Sequence, residues 1–380
     1  MKILHLSDRG LPDWRIEKSA ISSLNVGYQV MFAGERPKYF NQASIFSRLY
    51  YIDWSHRARR GFPIYWQAIK KQVKRVLDEA QPDIVHAHDI FAAKMISEFK
   101  VPFVYDNHEY WTVYVKRQAE SMKLALFQAS QNKTFKERIR NYVRNLLMHY
   151  AIYLWSKWEQ ELVASNITIT VSDRIAKELR TISGNSQVLV VPNFPRLSEV
   201  QDFEEPHPHT ALSSVYAGLE ATGNIMPAHR NIEGLVDVFN SSNIGPLYII
   251  GSEGTSSEKV NYKGFFPRAE MYREMFTHSI GLLPFKKHWS HCFINPNKAY
   301  EYAHAGLFVL CTSSFETVSE TLKSNCITFD NYEELVLRLK YFKEHMDELF
   351  TKRLAIFNFA RSNLIWEKYE KNIFDAYGMC

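Results

Sequence analysis

Short apolar runs alternate with amphipathic stretches along the first half of the chain. Nearly continuous apolar runs are typical of strands covered on both faces, whereas apolar residues three or four positions apart are typical of helices. The pattern predicts strands at 2–6, 28–33, 83–88, 101–106, 167–171 and 187–191, and helices at 14–25 and 64–80. Strands and helices that alternate in this way indicate a parallel α/β sheet.

A second α/β pattern begins after residue 209. The stretch 195–209 has no hydrophobic period and contains three prolines and four acidic residues, so we interpret it as a linker. Beyond it, the pattern predicts strands at 213–217, 247–251, 280–284 and 307–311, and helices at 231–239 and 296–305. Because ligands of open parallel sheets bind at the carboxyl ends of the strands, two such sheets facing one another would form a ligand cleft.

Length and composition fit a protein of two ordinary domains. A chain of 380 residues is too long for one compact core, and 46% hydrophobic with 23% charged residues is typical of globular proteins. No window reaches the ~20 apolar residues of a membrane-spanning helix, and the N-terminus turns polar at Ser7 and Asp8, too early for a signal peptide. The four cysteines are scattered, which favours structural thiols over a zinc site. We therefore expect a cytoplasmic location.

The net charge of +5 is unevenly distributed. Residues 1–200 carry 29 Lys and Arg against 19 Asp and Glu, a net of +10, and residues 201–380 carry 17 against 22, a net of −5. A basic first half fits an anionic partner, either a phosphorylated acceptor or an acidic lipid surface. A solvated basic face without a partner is the alternative interpretation.

Bases and aromatic residues are concentrated in the predicted helices between 113 and 162. The basic residues at the start of this region are Lys116, Arg117, Lys123, Lys133, Lys136, Arg138, Arg140 and Arg144. Basic amphipathic helices bind anionic membranes, which would make the protein peripheral to the inner face of the membrane. Packing on the sheet with a solvated basic edge explains the same composition. Nucleic acid is not an expected partner, because no recognised module or basic motif is present.

Polar residues follow the strands of the first half. Gly10, after the first strand, would let backbone amides approach a phosphate. His86 and His88 share one side of a strand, and the next strand leads into the polar stretch 106–109, which includes His108. These groups fit hydrogen bonds to sugar hydroxyls or a local capping role. A metal site is disfavoured, because strand-end histidines are more often hydrogen-bond donors than ligands.

The second half has candidate nucleotide contacts at the same end of its sheet. Gly218 ends one strand, and Arg230 is predicted at the start of a helix, where its guanidinium and the helix dipole would both favour a diphosphate. Gly251 ends the next strand, and the segment 262–267 offers apolar residues to a planar base.

The stretch 296–306 carries the most specific pattern. Lys298 and Glu301 lie three positions apart and share one face of the predicted helix near its N-terminus. A cation and a carboxylate there would bind a phosphate and a ribose diol, respectively. In isolation, the same spacing is equally typical of a surface ion pair.

Segments of both halves resemble the glycosyltransferase group 1 family, retaining enzymes with two Rossmann-like domains facing across a cleft (the GT-B fold). The matching segments are 13–17, 27–30, 82–89, 101–109, 190–195, the Asn297-Lys298, Glu301-Tyr302 and Gly306 pattern, and 366–369. The resemblance implies an acceptor-binding domain at 1–195 and a nucleotide-sugar-binding domain at 210–360. It also implies a C-terminal helix at 361–380 that crosses back onto the first domain.

The resemblance implies a hexosyltransferase-type reaction. A sugar would move from a nucleotide-diphosphate donor to a saccharide or lipid-linked acceptor with retention of the anomeric configuration. The residues implicated in catalysis are His108, Arg230, Lys298 and Glu301. The residues implicated in donor binding are Gly10, Gly218, Gly251, Gly264, Phe265, Phe266, Asn297 and Glu301. No metal or other cofactor is expected, because basic side chains and a helix N-terminus would stabilise the departing diphosphate.

Two positions depart from the family pattern. Phe293 stands where many members have an acidic residue that touches the donor sugar, which leaves His288, His291 or Asn295 as candidates for that contact. The lysine expected a few residues after Arg230 is also missing. These departures point to an unusual donor or to reduced activity.

Two other classes of function stay open. A sugar-nucleotide epimerase of the same shape would use carboxylates such as Asp106 and Glu109 as acid and base, and it would need no acceptor. A non-catalytic partner subunit would keep the fold without the reaction, and Phe293 is the residue that favours it. The missing three-glycine fingerprint argues against a dehydrogenase.

Overall fold

The computed structural model describes residues 1–36, 45–128, 135–185, 187–218 and 228–380. Lys133 and most of the predicted loop between Gly218 and Arg230 therefore lie outside the described residues. The chain forms two compact units. The first unit comprises Met1–Ala119, Leu126–Asn193 and Trp366–Cys380, and the second comprises Glu120–Ala125 and Phe194–Ile365.

The described part of the first unit contains a parallel sheet of seven strands, in the order β3-β2-β1-β4-β5-β6-β7. The strands are β1 (Lys2–Ser7), β2 (Gln29–Gly34), β3 (Arg48–Tyr51), β4 (Ile84–His88), β5 (Phe103–Asn107), β6 (Thr168–Thr170) and β7 (Val188–Val190). The helices are α1 (Trp14–Asn25), α2 (His56–Arg59), α3 (Pro63–Ala80), α4 (Asp89–Ile96), α5 (Trp111–Gln128), α6 (Phe135–Ser165) and α7 (Asp173–Ser183). Apolar side chains of β1, β2, β4, β5 and β6 form the core of this unit.

In the second unit, the described residues form a parallel sheet of six strands, in the order β10-β9-β8-β11-β12-β13. The strands are β8 (Ser214–Ala217), β9 (Leu247–Ile250), β10 (Val260–Gly264), β11 (Ile280–Leu283), β12 (Phe308–Thr312) and β13 (Cys326–Phe329). The helices are α8 (Leu197–Val200), α9 (Leu235–Ser241), α10 (Arg268–Phe276), α11 (Asn297–His304), α12 (Glu316–Leu322), α13 (Tyr332–Glu344) and α14 (Met346–Asn363).

The C-terminal segment Trp366–Cys380 belongs to the first unit. Its helix α15 (Glu370–Met379) contacts α1 and the strands β5, β6 and β7. Trp366 is fully buried there and donates from Nε1 to Ser22 Oγ at 2.8 Å. The α/β class with two parallel sheets, and the return of the C-terminal helix to the first sheet, are as predicted from the sequence.

The stretch 195–209, interpreted from the sequence as a linker, is packed against the second sheet. Val200 in α8 is fully buried. Pro206 packs on Gly306, since a Cβ added to that glycine would lie only 2.9 Å from the proline ring. The guanidinium of Arg353 donates to the carbonyl oxygens of His207 and Gly306, both at 2.9 Å. The segment lacks a hydrophobic period because most of it is neither helix nor strand. The buried guanidinium of Arg353 holds part of its backbone in place.

Helix α11 is fixed to the second sheet by Tyr302. Its hydroxyl accepts a hydrogen bond from the amide of Ala217 at 2.7 Å and donates to the carbonyl of Leu282 at 3.3 Å. A Cβ on Gly281 would lie 2.4 Å from the Tyr302 ring, so only glycine lets the helix approach β11 this closely. This contact sets the position of the helix that carries Lys298 and Glu301.

Candidate functional site

Three of the predicted glycines meet at the carboxyl end of the second sheet. The amide of Gly218 donates to Ile250 O at 2.8 Å, and the amide of Gly251 donates to Gly264 O at 2.7 Å. Gly251 and Gly264 have φ angles of 90° and 67°, a region that favours glycine. A Cβ on Gly218 would lie 2.6 Å from the Nζ atom of Lys298. The absence of a side chain at Gly218 therefore lets the Lys298 cation lie close to the end of the strand, and this position suits an anionic ligand.

Lys298 and Arg230 concentrate positive charge at this point. The Lys298 Nζ lies over the rings of Tyr216 and Phe285, 4.7 Å and 5.4 Å from their centroids. Loss of solvation and the nearby Arg230 cation lower the pKa of Lys298 to about 7, against the opposing effect of Glu301. Two neighbouring cations, one of them removed from water, are well suited to share an anionic ligand.

Glu301 pairs with a residue that the sequence did not indicate. Its carboxylate accepts from Arg268 Nη1 at 2.8 Å, and only 10% of the Glu301 side chain is exposed. The same guanidinium donates from Nε to Glu199 at 2.5 Å. Burial lowers the pKa of Arg268, but Tyr272 and the two carboxylates outweigh it and raise that pKa overall. Arg268 thus holds the Glu301 carboxylate in one orientation.

The helix predicted to start at Arg230 begins later. Arg230 lies in a 3-10 turn, Ala228–Arg230, and α9 starts at Leu235 after Gly234, whose φ of 86° is incompatible with a helix. In between, the side chain of Asn231 accepts from the amide of Glu233 at 2.8 Å and closes a turn. The expected contribution of a helix dipole at Arg230 was therefore wrong, and the positive charge there is that of the side chain itself.

The other predicted donor contacts lie along the same edge. Phe265 directly follows β10 and is 68% exposed, while Phe266 is partly buried. Asn297 is exposed and is the first residue of α11. These positions place an aromatic ring and a helix N-terminus beside the glycines of the second sheet.

Phe293 ends a short 3-10 helix, Trp289–Phe293, and is partly buried. Among the three proposed substitutes, His291 is engaged at both ring nitrogens, by Ser314 Oγ at 2.7 Å and by His229 O at 2.8 Å. Asn295 Oδ1 accepts a hydrogen bond from the hydroxyl of Tyr300. His288 Nδ1 is bound to Ser290 at 2.8 Å. His291 could therefore contact a sugar only if one of its two hydrogen bonds were broken.

In the first unit, Asp106 is the centre of a buried polar network. Arg15 Nε lies 3.0 Å from both carboxylate oxygens, and its Nη2 lies 2.6 Å from Oδ1. His86 Nε2 contacts Oδ2 at 3.1 Å and His86 Nδ1 contacts the hydroxyl of Tyr377 at 2.7 Å. Burial alone would raise the pKa of Asp106, but Arg15 and His108 hold it well below its usual value. The carboxylate is thus a fixed negative charge.

Three histidines from three segments form a chain beside this carboxylate. His5 Nδ1 lies 3.0 Å from His88 Nε2, and His88 Nδ1 lies 3.1 Å from His108 Nε2. Burial lowers the pKa of His88 to about 3 and that of His5 well below its usual value, with further lowering by neighbouring histidines. Both imidazoles are therefore neutral, and His88 can donate to one neighbouring histidine while it accepts from the other.

His108 is the outermost of the three histidines, and its pKa is shifted in the opposite direction. Burial lowers its pKa, but Asp89 and Asp106 outweigh burial and raise it. Its Nε2 lies 3.3 Å from Asp106 Oδ2, and its Nδ1 lies 3.6 Å from Asp89 Oδ2. Asp89 has a φ of 65°, a left-handed conformation that costs energy for a residue other than glycine. A strained residue next to a histidine with a raised pKa at a strand end is typical of a functional site.

Gly10 has a packing role that the sequence did not reveal. A Cβ there would lie 2.7 Å from Glu35 O and 2.9 Å from Arg36 O, so glycine lets two backbone segments touch. Beside it, Arg59 Nε pairs with Asp8 at 3.0 Å. Burial, partly offset by Arg59, raises the pKa of Asp8 to about 6. The role of Gly10 in donor binding stays a prediction.

Two sets of metal-ligand atoms lie close together in the described residues, His5 with His86 and His88, and His88 with Asp106 and His108. In the second set, Asp106 already accepts from Arg15, and a cation there would face that guanidinium. Hydrogen bonds among the histidines and carboxylates account for the arrangement. The sequence placed His86 and His88 on one side of a strand. The positions of His5, Arg15 and Tyr377 beside them follow only from the strand register and the C-terminal helix.

Two parallel α/β sheets, each with polar residues at its carboxyl edge, define a two-Rossmann architecture of the GT-B type. Residues 27–198 match the model of the Glycosyltransferase Family 4. A comparison with curated protein sequences gives no match. The resemblance to the glycosyltransferases that the sequence indicated is confirmed by the family match and by the fold.

Solved structures of this fold cover nearly the whole chain. Sucrose-phosphate synthase from Thermosynechococcus elongatus has a TM-score of 0.71 and 12% identity, with 100% of this chain and 99% of that chain covered. HepE from Anabaena, solved in complex with UDP-glucose, has a TM-score of 0.64 and 12% identity, with both chains covered at 100%. WaaG, a glycosyltransferase involved in lipopolysaccharide biosynthesis, has a TM-score of 0.58 and 12% identity over 98% of each chain. At such identities the likeness concerns the fold.

Proposed function

We propose that the chain is a metal-independent glycosyltransferase. It transfers a hexose from a nucleotide-diphosphate donor to a saccharide or lipid-linked acceptor and retains the anomeric configuration. The observation that carries the proposal is the position of Lys298 and Arg230 at the glycine-lined edge of the second sheet. Glu301 lies on the same helix as Lys298 and is oriented by Arg268 of α10. A HepE structure that contains UDP-glucose supports a nucleotide-sugar donor for this fold.

Each group has a role in this reaction. Lys298 and Arg230 bind the diphosphate and stabilise the negative charge that grows on it as the glycosidic bond breaks. Glu301 accepts hydrogen bonds from the ribose hydroxyls, and the backbone at 264–266 contacts the base. His108, whose pKa Asp89 and Asp106 raise against the effect of burial, is assigned to catalysis. The location proposed for the enzyme is the cytoplasmic side of a membrane. Within the described residues, no helix is long and apolar enough to cross a bilayer.

The proposal is tested by thermal unfolding in the presence of a panel of sugar nucleotides. A donor at 100 times its Kd stabilises a protein by about 2.7 kcal/mol, which corresponds to a rise in Tm of roughly 5–10 °C in a domain of this size. Glu301→Gln should weaken donor binding by about tenfold, because a neutral amide replaces the charged acceptor of the ribose hydroxyls. Glu344→Gln, an exposed carboxylate in α13, is the matched control. The unliganded Tm of each variant separates lost binding from lost stability.

A second measurement addresses the reaction itself. His108→Ala should lower the transfer rate by about 100-fold and leave the donor-induced rise in Tm intact, because His108 belongs to the other unit. If no sugar nucleotide stabilises the protein, the donor site is wrong. Conversion of the nucleotide-sugar without an acceptor would identify an epimerase. Donor binding without transfer to any acceptor would identify a non-catalytic partner subunit.

A further inference from the structure

Helix α6 presents an exposed apolar stripe. Its large apolar residues with exposed fractions of 43% to 67% are Ile139, Tyr142, Val143, Leu146, Tyr150 and Tyr153. The intervals between them are three, one, three, four and three residues. At 3.6 residues per turn, all six fall within about 100° of the helix circumference. Exposed apolar residues scattered singly need no explanation, but six aligned on one face do.

Basic side chains border the stripe on both sides. By the same rotation, Lys136 and Arg140 lie on one flank and Arg138 lies on the other, and all three are exposed. No Asp or Glu occurs between Arg138 and Trp158. An apolar face with basic flanks matches a surface that is apolar inside and negatively charged at its boundary.

The rest of the helix is anchored to the first unit by a different face. Ala151 and Trp158 are buried, and the Trp158 ring packs on Trp66 at 5.3 Å. Trp155 donates from Nε1 to Arg59 O at 2.8 Å, and its ring lies 5.0 Å from that of Phe91. These contacts fix the rotation of α6, so the stripe faces away from the sheet and keeps a defined orientation.

We propose that this stripe is the surface by which the protein binds an anionic lipid bilayer. The helix lies in the plane of the membrane, with the apolar residues among the acyl chains and the bases at the phosphates. Tyrosine is enriched at membrane–water interfaces, and the stripe contains three tyrosines. A second copy of the chain is a poorer occupant, because two equal surfaces would oppose their bases across the contact.

A transferase bound to a bilayer would meet acceptors that carry a lipid anchor. Only this consequence rests on the proposed function, whereas membrane binding itself does not. Lipid binding is measured without a nucleotide-sugar, and donor binding is measured without lipid. A failure of one therefore leaves the other standing.

The test is flotation of the full chain with vesicles of phosphatidylcholine alone and of phosphatidylcholine mixed with phosphatidylglycerol. Binding is expected only to the anionic vesicles and should weaken with salt. Lys136→Gln/Arg138→Gln/Arg140→Gln should reduce the partition by about fivefold for each base. Tyr142→Ser/Leu146→Ser/Tyr153→Ser should reduce it by about 100-fold.

Leu337→Ser/Tyr341→Ser is the matched control, because both residues are exposed and lie in the second unit. It should bind the anionic vesicles as the unchanged chain does, and all variants should keep their Tm. The proposal is overturned if the unchanged chain ignores anionic vesicles or if the stripe variant binds them equally well. A dimer in the absence of lipid that the stripe variant abolishes would identify the surface as a contact between two copies.

Discussion

The ammonium group of Lys298 packs against two aromatic rings and has lost most of its contact with water. Its Nζ lies over the rings of Tyr216 and Phe285, and lost solvation together with Arg230 lowers its pKa to about 7. A lysine in water is protonated throughout the physiological range. At this position, the charge changes near neutrality, so the strength of the proposed diphosphate site depends on pH.

Donor affinity should therefore fall as the pH rises through 7. If only the protonated Lys298 binds the diphosphate, the Kd of the donor increases about tenfold between pH 6 and pH 8. Lys298→Arg should keep tight binding and remove the dependence, because guanidinium stays charged, whereas Lys298→Met should be weak at both values. Isothermal titration at several pH values measures this. A Kd that is constant from pH 6 to pH 8 in the unchanged chain would contradict the assigned role.

Single residues show how far the sequence could indicate the site. Lys298 and Glu301 were predicted as neighbours because three residues along a helix place two side chains on one face. The partner of Glu301 is Arg268, which lies 33 residues earlier on another helix. No periodicity relates these two positions, so the pairing emerges only when α10 and α11 pack on the sheet. The same holds for His5 and His88, which are brought together by the register of β1 and β4.

At the scale of elements, the central strands were predicted, whereas three of the edge strands were missed. The strands β1, β8, β9, β11 and β12 lie within one residue of the predicted bounds at each end. The missed strands β3, β10 and β13 contain polar residues or lie at the edge of a sheet, so they lack the continuous apolar run of a central strand. The predicted start of α9 lies before the observed one, because Gly234 was included in the helical pattern although its positive φ is incompatible with a helix at that position.

The seating of α11 on β11 gives a prediction about stability. Gly281→Ala should destabilise the second unit by about 1–3 kcal/mol, since the new methyl group would lie 2.4 Å from the Tyr302 ring and force the helix outward. Gly378→Ala, in α15, is the control: no atom lies within 4 Å of its added Cβ, and alanine favours a helix. Urea unfolding measures both. Equal stability of the two variants would show that α11 can shift away from β11 without a cost in stability.

At the scale of the whole molecule, the first unit is discontinuous in sequence. Its core includes Trp366, Ile373 and Tyr377 from the end of the chain as well as residues of β1 and β4 from the beginning. Tyr377 also contacts His86, which in turn contacts Asp106, so the last helix supports the polar network around His108. The resemblance of 366–369 to a family segment suggested this return, but composition alone gave no reason for a C-terminal helix to pack on the N-terminal sheet.

The first unit should therefore lose stability when a large buried side chain near the C-terminus is replaced by alanine. Trp366→Ala removes a fully buried side chain, at a cost of about 3–5 kcal/mol. Hydrogen exchange should then accelerate by about 100-fold or more at the amides of β1, β4 and β5 and stay unchanged at those of β8, β11 and β12. Trp14→Ala is the control within the same unit, since Trp14 is 43% exposed and its loss should have a small effect. Equal acceleration in both sheets would mean that the two units unfold as one, and the C-terminal helix would then stabilise the whole chain rather than the sheet on which it packs.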